Sequence, residues 1–107
     1  MKLLTKELER EFDIYGSQEK EEDPVVLAKF FNPQGGQTWL AIEYHPEIKC
    51  FFGYVSLFNT EHENEFGFFS LEELESIKLP PLGLGIERDK YFKPCKLSEA
   101  KKRNGIK

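Results

Sequence analysis

Four short runs of β-branched and aromatic residues follow one another down the middle of the chain, at 25–31, 38–45, 50–58 and 66–69, each parted from the next by a polar or turn-forming stretch. Runs of this length and make-up read as strands, and strands joined by tight reversals read as an antiparallel meander. The first, Val25-Val26-Leu27-Ala28-Lys29-Phe30-Phe31, is apolar on both faces, as a covered central strand would be. Alternation in the second assigns Leu40, Ile42 and Tyr44 to one face and Trp39, Ala41, Glu43 and His45 to a more polar one. Gly53 in the third marks a bulge or a close approach of neighbouring backbone.

Helical signals flank this block. Leu4, Leu8 and Phe12 recur at helical spacing behind a capping Thr5, which predicts a helix to about residue 13 with those three facing the core. A polar, acidic loop follows at 16–23. Ser70-Leu71-Glu72-Glu73 is a capping box and predicts a helix to about Lys78, because Pro80-Pro81 forbids continuation. Leu82-Gly83-Leu84-Gly85 reads as a loop entering a last extended segment at 86–92, and Ser98 is placed to cap a final basic helix that frays.

A chain of 107 residues builds one core and one domain, 1–107. Ten phenylalanines indicate a Phe-rich core. Charge is uneven: residues 1–24 carry four basic and eight acidic groups, 25–92 carry five and ten, and the tail at 93–107 carries six and one. An acidic body with a basic appendix argues against duplex binding, which needs a concentrated basic face. The two cysteines, Cys50 and Cys95, are far apart and read as free thiols. No apolar run suits a signal peptide or a membrane span, so the cytoplasm is the expected compartment.

Met1-Lys2-Leu3-Leu4-Thr5, Lys29-Phe30-Phe31-Asn32-Pro33, Thr38-Trp39, Phe51-Phe52-Gly53, the segment 67–75 and Gly83-Leu84-Gly85-Ile86-Glu87-Arg88-Asp89 together resemble the bacterial domain-of-unknown-function 2958 family. The resemblance spans residues 1 to about 94. It implies a setting on plasmids and other mobile elements, and it carries over no activity and no catalytic residue.

Candidate sites therefore rest on chemistry. Glu87-Arg88-Asp89 follows a Gly-x-Gly loop, and an Arg fork there can grip a carboxylate or phosphate; the plainer reading has Arg88 pairing with Glu43 or another carboxylate across the sheet. Glu43 and His45 lie two apart on the Trp39 face with Tyr54 as a cross-strand neighbour, a conceivable general base without a nucleophile or oxyanion hole. Gly83-Leu84-Gly85 lacks the rest of a phosphate loop and serves a turn. His62, between Glu61 and Glu63, has no metal-ligand spacing, and no metal or cofactor is expected. The aromatics lack basic neighbours in sequence, so core packing is preferred to base stacking.

The expected fold is α+β: a four- to five-stranded antiparallel sheet with two or three short helices packed mainly on one face, the 5–13 and 70–78 helices among them. The expected function is a non-enzymatic protein-interaction module. Its binding residues are sought among Trp39, Glu43, Tyr54, Glu87, Arg88 and Asp89, with a protein partner and the oligomeric state left open. Two alternatives stand beside it: a binder or enzyme for a small anionic ligand at Arg88, and an acidic nucleic-acid mimic acting on a host defence nuclease.

Overall fold

The computed structural model describes residues 2–57 and 64–107, as α1 (Lys6–Tyr15), β1 (Val25–Val26), β2 (Ala28–Phe31), β3 (Thr38–His45), β4 (Cys50–Ser56), β5 (Glu65–Ser70), α2 (Leu71–Ser76), β6 (Glu87–Arg88), β7 (Cys95–Lys96) and α3 (Leu97–Arg103). The meander is present, and β6 extends it at the other edge to give the order β5-β4-β3-β2-β6, antiparallel throughout. Phe58 and most of the hydrophilic connection with His62 lie outside the described residues.

The run expected as one strand at 25–31 is two. Val25 and Val26 pair with Lys96 and Cys95 in a separate two-stranded sheet, while 28–31 enters the main sheet. A straight strand turns successive side chains to opposite faces. The break at Leu27 lets Val26 join one core while Leu27 and Ala28 join the other, and the Leu27 N–H stays bonded to the Ala41 carbonyl at 2.9 Å.

Both readings of Gly53 hold. Ala41 pairs with Gly53 but Glu43 pairs with Phe52, so Ile42 is an extra residue, a β-bulge in β3. A β-carbon on Gly53 would overlap the carbonyl oxygen of Leu40, so only glycine lets β3 press this close. The bulge also overturns the expected faces. Trp39 and Ala41 lie in the core beneath α1, and beyond the bulge Tyr44 packs there with them, whereas Glu43 and His45 pass to the opposite face.

Gln18 braces this irregularity, although the sequence places it in an ordinary polar loop. Its Nε2 donates to the carbonyls of Val25 (2.9 Å) and Ile42 (3.0 Å), and its Oε1 accepts from the Val25 N–H (2.7 Å). Both amide protons and the acceptor are thus spent on backbone that the bulge and the short β1 leave without ladder partners.

Two cores result. The first lies between the sheet and α1 with α2, as expected: Leu4, Leu8 and Phe12 meet Phe30, Phe51 and Phe69, and Leu74 comes from α2. Its rings are contiguous, Phe30–Phe51 at 5.0 Å and Phe51–Phe69 at 5.4 Å. Thr5 Oγ1 accepts from the Leu8 N–H and Ser70 Oγ from the Glu73 N–H, each at 3.2 Å, so both caps are where the sequence places them. The first helix runs two residues past the expected end, to Gly16 at φ 62°; the second stops two residues short, at Ser76.

The second core lies on the other face, where α3 covers Val26, Leu40, Ile42 and Tyr54 with Leu97 and Ala100. The tail is therefore docked, which corrects the expectation of fraying. Ser98 is also not the cap: it sits in the first turn, and the Asp23 carboxylate, 75 residues away, accepts from the Ser98 N–H at 2.9 Å and from its hydroxyl. The Pro24 carbonyl accepts from the Leu97 N–H at 2.8 Å. A carboxylate at a helix N-terminus satisfies orphan donors and meets the positive end of the dipole.

Two outcomes follow from these contacts. Gly53→Ala should lower stability by about 2–3 kcal/mol, the upper part of the overpacking range, because the obstacle is backbone; a fall in the urea midpoint at unchanged slope checks it. The two Ser98 hydrogen bonds hold the Asp23 carboxyl below its ordinary value of 3.8. A depressed folded-state pKa gives stability that is present above the unfolded value and drains away as pH falls through it toward the folded one. Hydrogen exchange of the 97–103 amides should accelerate relative to the sheet as pH falls below that value, and Asp23→Asn should already show the faster relative exchange at neutral pH.

Candidate functional site: an aromatic row on the outer face

Alternation along β4 and β5 sends Phe51 and Phe69 into the first core and Phe52, Tyr54, Phe66 and Phe68 to the opposite face. Register places Phe52 beside Phe68 and Tyr54 beside Phe66. The rings form one row: Phe68–Phe52 at 5.1 Å, Phe52–Phe66 at 6.1 Å and nearly parallel, Phe66–Tyr54 at 5.2 Å edge to face. Such pairs are worth about 0.5–1.5 kcal/mol beyond the area they bury.

The two ends differ in charge. The bulge brings His45 to the Phe68 end, ring to ring at 5.5 Å. There His45 Nε2 lies 2.9 Å from Glu43 Oε1 and Nδ1 lies 3.3 Å from Glu47 Oε1, while Glu43 Oε2 accepts from the Gln18 N–H at 2.7 Å. Two carboxylates and one imidazole make this end acidic. At the Tyr54 end the docked α3 supplies Lys101, whose Nζ sits 4.6 Å from the ring centroid, and the Tyr54 hydroxyl donates to the Lys107 carbonyl at 3.1 Å. This contact corrects the premise that the aromatics lack basic neighbours: sequence distance hid what α3 docking brings together.

Coverage of the row is partial. α3 buries Tyr54, but Phe66 is 50% and Phe68 60% exposed. Exposed aromatics in a contiguous patch rimmed by charge mark an interaction surface more often than isolated surface residues do. β5 is moreover the terminal strand of the sheet order.

The residues singled out from the sequence do not converge. Trp39 is buried beneath α1, and Tyr54 and Glu43 lie on the other face as parts of the row. Arg88 pairs in register with Phe30 and lines an open cleft of about 390 Å³ against α1, with Lys6, Glu7 and Glu11. Glu43 is engaged by Gln18 and His45 rather than awaiting Arg88. Strand alternation separates Glu87 from Arg88, and Asp89 stands 3.9 Å from Lys29 Nζ while accepting from the Tyr91 N–H at 2.9 Å. The sequence reading prefers core packing for the Phe-rich strands, which leaves Phe66 and Phe68 outside the candidate residues. Their period against Phe69, together with two helices expected on one face, was the signal that could have found them.

The Gly83 segment is a turn, with the Leu79 N–H on the Leu84 carbonyl and the Gly83 N–H on the Leu79 carbonyl, both at 2.7 Å. Cys50 and Cys95 are free thiols, and burial pushes the Cys95 thiol up. Among the described residues no three His, Cys, Asp or Glu side chains gather as a metal site, and no helix is long and apolar enough to cross a membrane.

No curated protein and no solved structure matches the chain significantly. Residues 3–102, nearly the whole sequence, match the model of the family described as protein of unknown function DUF2958, and the chain belongs to that family.

Proposed function

We propose that this protein is a non-enzymatic protein-interaction module of a bacterial mobile element, acting in the cytoplasm, and that it engages its partner through the outer face of β4 and β5. The observation that carries this reading is the pair Phe66 and Phe68, half or more exposed on an ordered aromatic row between charged ends. Aromatic cores with polar rims are the usual anatomy of protein interfaces. The mobile-element setting follows the family resemblance, and two free thiols suit a reducing compartment.

The alternatives draw less support. A small anion at Arg88 and Lys6 would meet Glu7 and Glu11 in the same cleft. A nucleic-acid mimic needs carboxylates aligned along one face, whereas those of α1 divide: Glu7 and Glu11 line the Arg88 cleft, and Glu9 and Asp13 line another with Arg10.

Site-specific photocrosslinking in cells tests the surface without presuming the partner. A benzophenone side chain in place of Phe68 should give a discrete protein adduct that the same group in place of Tyr91, 93% exposed on the β6–β7 connection, does not give. No adduct at 68, or equal adducts at both positions, would remove the outer face as the binding surface.

A further inference from the structure

We infer that the partner taken by the outer face is a second copy of this chain, packed face to face about a two-fold axis near the middle of the aromatic row. The inference rests on the reading of that face as a protein-binding surface and goes on to name the occupant.

The reason is the polarity of the row. In an isologous pair, residue i of one copy meets j of the other and j meets i. A two-fold axis that lies between the two faces, perpendicular to the row, turns the row end for end. It sets the Lys101 end of each copy against the Glu43–Glu47 end of its partner and lays Phe66 and Phe68 of one on Phe68 and Phe66 of the other. One surface thereby supplies both the apolar contact and two complementary charge contacts.

The charges for this stand at the two ends, with Lys101 half-buried and Glu43 mostly buried. The Glu47 carboxylate is 67% exposed beyond its contact with His45, and Lys101 lies on the Tyr54 ring, while Arg103 of the same helix is turned back to Glu99 at 3.2 Å. A partner of one sign fits worse: a single-stranded nucleic acid would gain at Lys101 and be repelled at Glu43 and Glu47, and so would an anionic membrane surface.

Size sets the expected strength. With a phenylalanine carrying about 200 Å² of surface, Phe66 and Phe68 together leave about 200 Å² per copy, a fraction of the about 800 Å² per partner in a standard interface. The rim charges and surrounding backbone must supply the rest. The pair should be reversible in the micromolar range and weakened by salt.

Sedimentation equilibrium of the full chain, from micromolar to sub-millimolar concentration, is the test. The wild type should rise from one chain mass toward two, less so in high salt, and Phe66→Ser/Phe68→Ser should stay at one. Lys101→Glu alone and Glu47→Lys alone should each stay at one chain mass, because each places like charges at both ends of the pair. An equimolar mixture of these two variants should regain the two-chain species, since opposite charges then meet at both ends; misfolded variants could not give this rescue.

A wild type that stays at one chain mass throughout, a pair insensitive to the phenylalanine changes, or a mixture that fails to associate would overturn the inference. If the chain stays single while the benzophenone at 68 captures a different protein, the interaction surface stands and the second copy falls. Binding of a fluorescent single-stranded oligonucleotide by a chain that stays single, lost in Phe66→Ser/Phe68→Ser, would place nucleic acid on this face and remove both.

Discussion

Opposite Gly53, the backbone of β3 carries one residue more than its partner strand, and every side chain beyond Ile42 consequently lies on the face its sequence parity would deny it. Tyr44 packs against Phe12 and Phe51 instead of joining Leu40, and His45 reaches Phe68 instead of the core. Two things sustain the arrangement: the missing side chain at Gly53, which admits the Leu40 carbonyl, and the buried amide of Gln18, which satisfies the backbone the bulge leaves over. An unpaired buried carbonyl or N–H costs about 1–3 kcal/mol, so a bulge without such a brace would be a poor bargain. The same Gln18 donates its own N–H to Glu43, tying the brace to the acidic end of the aromatic row.

The sheet's two faces are finished differently. One is closed by α1 and α2 over a contiguous set of phenylalanine rings. The other is closed only in part, by α3, which the Asp23–Pro24 corner holds in place from the far end of the chain. That docking brings the basic tail onto an otherwise acidic domain and creates the charge difference along the row. The open part of this face is thus a consequence of how one short helix is anchored, and it is the part with Phe66 and Phe68.

Much of the architecture was legible because local signals and global fold agree. Thr5 and Ser70 announce their helices, turn residues announce the meander, and Gly53 announces the irregularity. The shift of faces was not legible, since a bulge can be suspected from a glycine while the residue it displaces lies on the other strand. Gln18 and Asp23 were missed for a related reason: each satisfies backbone that is distant in sequence, and nothing in a polar loop marks which side chain will turn inward. For the candidate site, Tyr54 and Glu43 lie along the aromatic row and not beside Trp39, with which the sequence grouped them. Phe66 and Phe68 were lost because composition cannot say which of ten phenylalanines a short helix fails to cover.

The placement of His45 and Tyr44 on opposite faces underlies the site, its acidic end and its fit to a second copy. It is measured directly by nuclear Overhauser contacts in protein with labelled aromatic rings. Cross-peaks should join His45 to Phe68, and Tyr44 to Phe12 and Phe51. Contacts from Tyr44 to Phe68 and from His45 to Phe12 would mean an unbulged ladder and would contradict the arrangement on which the site depends.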